Sequence, residues 1–141
     1  MLIDLTEAQK GYLAGFIDGE GYVGIARHKN GKGRGMYYSP QISVYNSDPE
    51  VLFMLQRWTG LGSVNVHQRE DKPAHHRIGL TWRIGGAKAK ELLTEILPHL
   101  QIKRKQAELL ISCPSDGCFR NNMNEQLAVK EAIMILNQGG K

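Results

Sequence analysis

A chain of 141 residues with 23% charged and 41% hydrophobic side chains can bury a core of its own, which excludes a disordered tail or a disulfide-stapled miniprotein. Its net charge of +4, from 18 Lys+Arg against 14 Asp+Glu, points weakly to a polyanionic partner. No apolar run reaches the roughly 18 residues that span a bilayer, and the N-terminus has no signal-peptide pattern. No membrane contact, no secretion and an intracellular location (cytoplasm, nucleoid or organelle matrix) are therefore expected.

The first helix is expected from Glu7 to about Gly19. Thr6 and Gln9 form a capping-box pattern, and Glu7 suits a helix N-terminus. Leu13, Ala14, Phe16 and Ile17 with few charges predict a helix buried on much of its circumference. Gly11, Gly15 and Gly19 recur every fourth residue, which puts them on one helical face where another backbone can approach. Each costs about 1 kcal/mol against Ala in a helix, so close helix contact is a reasonable compensation. Gly19 and Gly21 also read as the helix stop.

Tyr22 to about Lys29 alternates as a half-buried strand, with Val23 and Ile25 to one side and Tyr22, Gly24, Ala26 and His28 to the other. Residues 30–35, NGKGRG, form a loop by composition. Tyr37 to Asn46 resumes the alternation with Ile42 and Val44 inward. Ser47, Asp48 and Pro49 start a helix whose Val51, Met54, Leu55 and Trp58 share one apolar face. Gly60 and Gly62 stop it. Ser63 to Arg69 is a third strand, with Val64 and Val66 on one side. His76 to Ile84 is a fourth, with Ile78, Leu80, Trp82 and Ile84 on one side. Ala89, Leu92, Leu93 and Ile96 mark a helix ended before Pro98, Gln101 to Ile111 another, and Val129, Ala132, Ile133 and Leu136 a last one. Cys113 and Cys118 flank a short loop. They lack the further ligands of a metal site and read as two thiols or one small-loop disulfide.

The order α-ββ-α-ββ-α-α-α predicts an α+β fold: one antiparallel sheet with helices on one face. The whole chain, 1–141, reads as a single domain, with a core over about residues 5–112 and a C-terminal helical extension over about 119–138. The outward sheet face carries Tyr22, His28, Gln41, Ser43, Asn65, His67, Arg77, Thr81 and Arg83. Arg, Gln and Asn are the types that bond bidentately to base edges, and a β-ribbon fits the major groove. The ordinary alternative is a polar solvent face. Between Glu20 and Asp48 there is no acidic residue, while Arg27, His28, Lys29, Lys32 and Arg34 fall there. That block is either a solvated basic loop or a nucleic-acid contact, and it favours the latter.

Leu13 to Gly21, LAGFIDGEG, is similar to the signature helix of the LAGLIDADG homing endonucleases. Phe16, Gly19 and Glu20 stand where that signature has Leu, Ala and Asp. The segment also ends a helix and leads straight into a strand, as in the family. The resemblance covers about the first 110 residues and implies a saddle-shaped sheet. Residues 19–24 also fit G-x-G-x-x-G, but a dinucleotide loop follows a strand and opens a helix, the reverse of this order.

The resemblance implies a site-specific DNA endonuclease, a phosphodiester hydrolase that leaves 3′ overhangs, with Glu20 as its catalytic acid. Glu20 and the Gly19 carbonyl would hold Mg²⁺, or another divalent cation such as Mn²⁺, which activates water. Asn46 matches a polar position that orders the hydrolytic water. Lys103, after Pro98, His99 and Leu100, matches a lysine that approaches the scissile phosphates. The chain carries one signature, which in the family implies a homodimer and a long pseudo-palindromic site of double-stranded DNA. The dimer face would comprise Gly11, Tyr12, Ala14, Gly15, Asp18 and Gly19. DNA contacts would come from Tyr22, Gly24, Ala26, Arg27, His28, Lys29, Asn30, Lys32, Arg34, Tyr37, Ser39, Gln41, Ser43, Asn65, His67, Arg69, Arg77, Thr81 and Arg83. The competing function is a non-catalytic nucleic-acid binder of the same fold, such as an intron-splicing maturase or a transcription regulator. Glu20 separates the two, because a pure binder has no need of a carboxylate facing phosphates.

Overall fold

The first helix, α1 (Glu7–Glu20), begins at the capping box. The Gln9 amide donates to the Thr6 hydroxyl at 3.1 Å, and the Thr6 amide donates to Gln9 Oε1 at 3.0 Å. In this computed structural model, which describes residues 4–29, 36–68, 78–112 and 123–139, α1 leads without a loop into β1 (Gly21–Lys29). There follow β2 (Met36–Asn46), α2 (Pro49–Thr59), β3 (Ser63–Gln68), β4 (Ile78–Gly85) and α3 (Ala87–Ile96). A 3₁₀ turn (Leu97–His99), α4 (Arg104–Ile111) and α5 (Met123–Gly139) complete the order. The two cysteines and the segments 30–35 and 69–77 lie outside the described residues.

The four strands form one antiparallel sheet in the order β1-β2-β4-β3. Alternation gives it two faces. Val23, Ile42 and Ile84 line up across three strands, as do Val44, Trp82 and Val64 across another three. These residues meet the helices, and the core closes over Leu13, Ile17, Leu52, Leu55, Leu92 and Ile96, all fully buried. Trp82 Nε1 donates to the Leu61 carbonyl at 3.0 Å. Gly62 makes that approach available: its φ is +82°, and a Cβ there would lie 2.7 Å from both the Trp82 ring nitrogen and Ile84.

Three features differ from the sequence pattern. First, α1 is buried on one side only: Leu13, Ala14, Ile17 and Asp18 face inward, while Tyr12, Gly15, Gly19 and Glu20 are exposed. Among the described residues nothing covers the glycines of the outer side. Second, α4 starts at Arg104 rather than Gln101, because the amides of Gln101 and Lys103 bond a side chain of α1 instead of turning into the helix. Third, Val66 stays 68% exposed on the edge strand β3, beyond the reach of the helix layer.

The last helix joins the helical layer at the β1 edge. Ile133 is buried, Gln106 Nε2 donates to Asn137 Oδ1 at 3.1 Å, and Asn137 Nδ2 donates to the Val23 carbonyl at 3.5 Å. Among the described residues no helix is long and apolar enough to cross a membrane.

Candidate active site and nucleic-acid face

The end of α1 brings together several of the residues that the sequence nominates for chemistry. Its last hydrogen bond runs from the Gly21 amide to the Ile17 carbonyl, so the carbonyls of Asp18, Gly19 and Glu20 lie beyond the helical ladder. Lys103 Nζ donates to the Asp18 carbonyl at 3.0 Å, a cation set on the negative end of the helix dipole. Glu20 sits two residues further on and is exposed. The chain fold thereby brings Glu20 and Lys103 to one helix end although they are far apart in sequence.

Asp18 does a different job. Its side chain is 8% exposed, and its carboxylate accepts from the Gln101 amide at 2.8 Å and the Lys103 amide at 3.0 Å. Two amides satisfy a buried charge that would otherwise be costly. Asn46 closes β2 at the same end of the sheet, since Gly21 pairs with Val44. Its Oδ1 accepts from the Asp48 amide at 2.8 Å, and Asp48 in turn caps α2 through the Glu50 amide at 2.9 Å. The Asn46 side chain is thus held by the turn into α2.

Of the six residues expected on a dimer face, Gly11, Tyr12, Gly15 and Gly19 lie on the outer side of α1. Ala14 and Asp18 point into their own chain. A Cβ built on Gly11, Gly15 or Gly19 meets nothing within 4 Å. Tyr12 is 45% exposed, stacks on Phe16 at 5.9 Å and sits edge-on to Trp58 at 5.5 Å.

The helix-free face of the sheet has rows set by register. Tyr22, Ser43, Arg83 and Ser63 align across all four strands; Gly24 aligns with Gln41, and Tyr45 with Thr81 and Asn65. Asn65 and Arg83 are exposed, Ala26, Gln41 and Ser43 half-buried, and Gly24, Ser39 and Thr81 buried despite their place on this face. Arg27, His28, Lys29 and Tyr37 lie on the paired ends of β1 and β2, with His28 opposite Tyr37, and His67 lies opposite Gly79. Their side chains fall outside the described residues, as do Asn30, Lys32, Arg34, Arg69 and Arg77 altogether.

Two tyrosines shape this face. A Cβ on Gly24 would collide with the Tyr22 ring, and one on Gly79 with the Tyr45 ring. Each ring lies across a glycine. The Tyr22 hydroxyl donates to the Ile25 carbonyl at 3.3 Å. Burial pushes the Tyr22 phenol above its ordinary value, and that hydrogen bond offsets part of the effect. Tyr45 was absent from the contacts expected from the sequence. A glycine in a strand one pleat away was the available signal.

Among the described residues no three His, Cys, Asp or Glu side chains come together as a metal cluster. The oxygens at the end of α1, the Glu20 carboxylate and the Gly19 carbonyl, are hard donors of the kind Mg²⁺ takes.

The fold matches known structures. The homing endonuclease I-CvuI, solved with the I-CreI target and 2 mM Mg with the DNA uncleaved, superposes with a TM-score of 0.71 at 20% identity, over 92% of this chain and 82% of that one. The archaeal intron-encoded homing endonuclease I-Vdi141I, solved with DNA, gives a TM-score of 0.62 at 16% identity, over 95% of this chain and 82% of that one. The LAGLIDADG homing endonuclease I-GzeII, also solved with a DNA target, gives 0.57 at 16% identity, over 90% of this chain but 43% of that one. No curated protein sequence matches the chain significantly. A family model described as LAGLIDADG endonuclease matches residues 13–107, which hold both the signature helix and Lys103. The chain belongs to the LAGLIDADG endonuclease family.

Proposed function

We propose that the protein is a site-specific homing endonuclease that makes metal-dependent double-strand breaks in a long pseudo-palindromic DNA site as a homodimer, leaving 3′ overhangs. One observation carries this best: Glu20 is exposed at the end of a helix whose outer side carries Gly11, Gly15 and Gly19, with no described atom within 4 Å of a Cβ built there. Three helical glycines cost about 1 kcal/mol each, and the packing of the described residues requires none of them. A second copy of α1 laid against the first explains the cost. It would also place two Glu20 side chains near one two-fold axis, one for each DNA strand.

Within that arrangement Glu20 and the Gly19 carbonyl would hold Mg²⁺ or Mn²⁺. When bound, the divalent ion supplies an activated water and stabilises the departing oxygen of the phosphodiester. Lys103, set at the same helix end, faces the negative charge that grows on the phosphate. Asn46 orders the water. The exposed side chains of the helix-free sheet face, Asn65 and Arg83 among them, read base edges in the major groove. Homing endonucleases of the same fold solved together with DNA support DNA as the partner.

The test is selection of cleavable sites from a randomised duplex library with Mg²⁺, together with sedimentation of the protein. Cut sites with two-fold symmetry and 3′ ends, from a protein of twice the chain mass, are the expected result. Tight, selective binding with no cleavage would replace this reading with the non-catalytic binder.

A further inference from the structure

Asp18 holds Lys103 at two places. Its carboxylate takes the Lys103 amide at 3.0 Å and the Gln101 amide at 2.8 Å, and its carbonyl takes Lys103 Nζ at 3.0 Å. A lysine side chain has four rotatable bonds and no preferred position of its own. Here both its root and its tip are tied to one residue, two positions before Glu20. We infer that Asp18 is a positioning residue for the cleavage reaction: it fixes the Lys103 ammonium at a set distance from the Glu20 end of α1. This rests on the endonuclease reading above.

A dimer contact does not fit a carboxylate that is 8% exposed and already doubly bonded within its own chain. The Nζ bond goes to the backbone carbonyl of residue 18, and the two carboxylate bonds to the amides of Gln101 and Lys103 bring the root of the lysine within reach of it. The clasp also explains the late start of α4. Residues 101–103 form a bend, and α4 begins at Arg104 with Lys103 as its N-cap. The bend carries Lys103 back towards α1 instead of along α4.

The experiment is a double-mutant cycle on the full-length protein with a cleavable duplex and Mg²⁺, read as single-turnover cleavage rate and DNA Kd. Asp18→Asn turns one acceptor oxygen into a donor and so removes one of the two amide bonds that hold the bend against α1. In the wild-type background it should slow cleavage by about tenfold or more, as a small misplacement of a reacting group does, while Kd moves by less than about threefold. In a Lys103→Ala background the same change should cost less than about twofold, because the group it positions is gone. Losses that multiply instead of overlapping would overturn the inference. Should Asp18→Asn fail to fold, Lys103→Arg carries the test, since it leaves both amide bonds intact. It keeps the charge but cannot place it at the same carbonyl, so cleavage should fall by about tenfold with DNA affinity kept. Wild-type cleavage by Lys103→Arg would overturn the inference as well. A wild-type protein that cuts no duplex in the library would remove the endonuclease reading itself, which is a separate outcome.

Discussion

The two sides of α1 meet opposite surroundings. The inner side, Leu13, Ala14, Ile17 and Asp18, is buried in a core shared with the sheet and α3. The outer side, Gly11, Gly15 and Gly19, is open among the described residues, and Glu20 stands exposed at its end. On the inner side Leu13, Ala14 and Ile17 fill volume, whereas a Cβ at Gly11, Gly15 or Gly19 on the outer side would meet no described atom within 4 Å. Substitutions of the apolar residues on the inner side, Leu13, Ala14 and Ile17, should report as lost stability. Those on the outer side should report as lost assembly or chemistry, with the fold intact.

The sharpest way to break that contrast is Glu20→Gln, which removes the charge and alters no packing. Cleavage should fall by about 10³-fold or more, as befits loss of a metal-holding group, while DNA binding and thermal stability stay near wild type. A mutant that still nicks duplex DNA with Mg²⁺ would move the metal away from Glu20.

On the inner side, Ile17→Ala should destabilise the fold by about 2–5 kcal/mol through a cavity beneath the sheet, measured by denaturant unfolding. A loss under about 1 kcal/mol would mean that α1 can shift to fill the space. On the outer side the expected signs are opposite for fold and assembly. Gly15→Leu should leave the chain folded, because the site is open, yet abolish the dimer in sedimentation. An unchanged dimer would place the interface elsewhere. Gly15→Ala, the milder change, should gain up to about 1 kcal/mol of helix stability in the monomer while loosening the pair.

Arg83 should show a smaller effect of a different kind. It is exposed on the central row of the helix-free face, opposite Ser43 and Ser63. Arg83→Ala should cost about 1–3 kcal/mol at a base pair it reads and relax the preference there. A loss equal for every sequence would make it a phosphate contact.

Much of the fold was legible because its signals are local. The capping box at Thr6, the Asp48–Pro49 start and the period-two strands all specify their elements without help from distant residues. The start of α4 was not legible, because two of its amides are taken by a carboxylate that approaches from α1. The same holds for the site. Glu20 is carried by a contiguous motif, whereas the tie between Asp18 and Lys103 appears only once the chain has folded back. Burial on the helix-free face was hidden for a similar reason. Alternation puts Thr81 and Ser39 on that face, but it cannot show that they end up only 5% and 6% exposed.

Gly24 and Gly79 of the sheet offer a last contrast with the glycines of α1, because a tyrosine ring lies across each. The Tyr22 ring lies across Gly24, and burial raises its phenol above the ordinary value of 10.0. The sign follows from linkage. Folded and unfolded chains both keep the phenol protonated below about pH 10, so the full stability is present there, and it is lost as pH rises through the raised folded value. In a tyrosinate titration followed by absorbance or by ring-carbon NMR, Tyr22 should titrate later than an exposed tyrosine. Gly24→Ala should bring it back towards the ordinary value, because the new methyl group would displace the ring into water. A Tyr22 that titrates alike in both proteins would mean that the ring does not depend on the glycine beneath it. Tyr22→Phe should cost little stability, since the hydroxyl makes one long hydrogen bond of 3.3 Å.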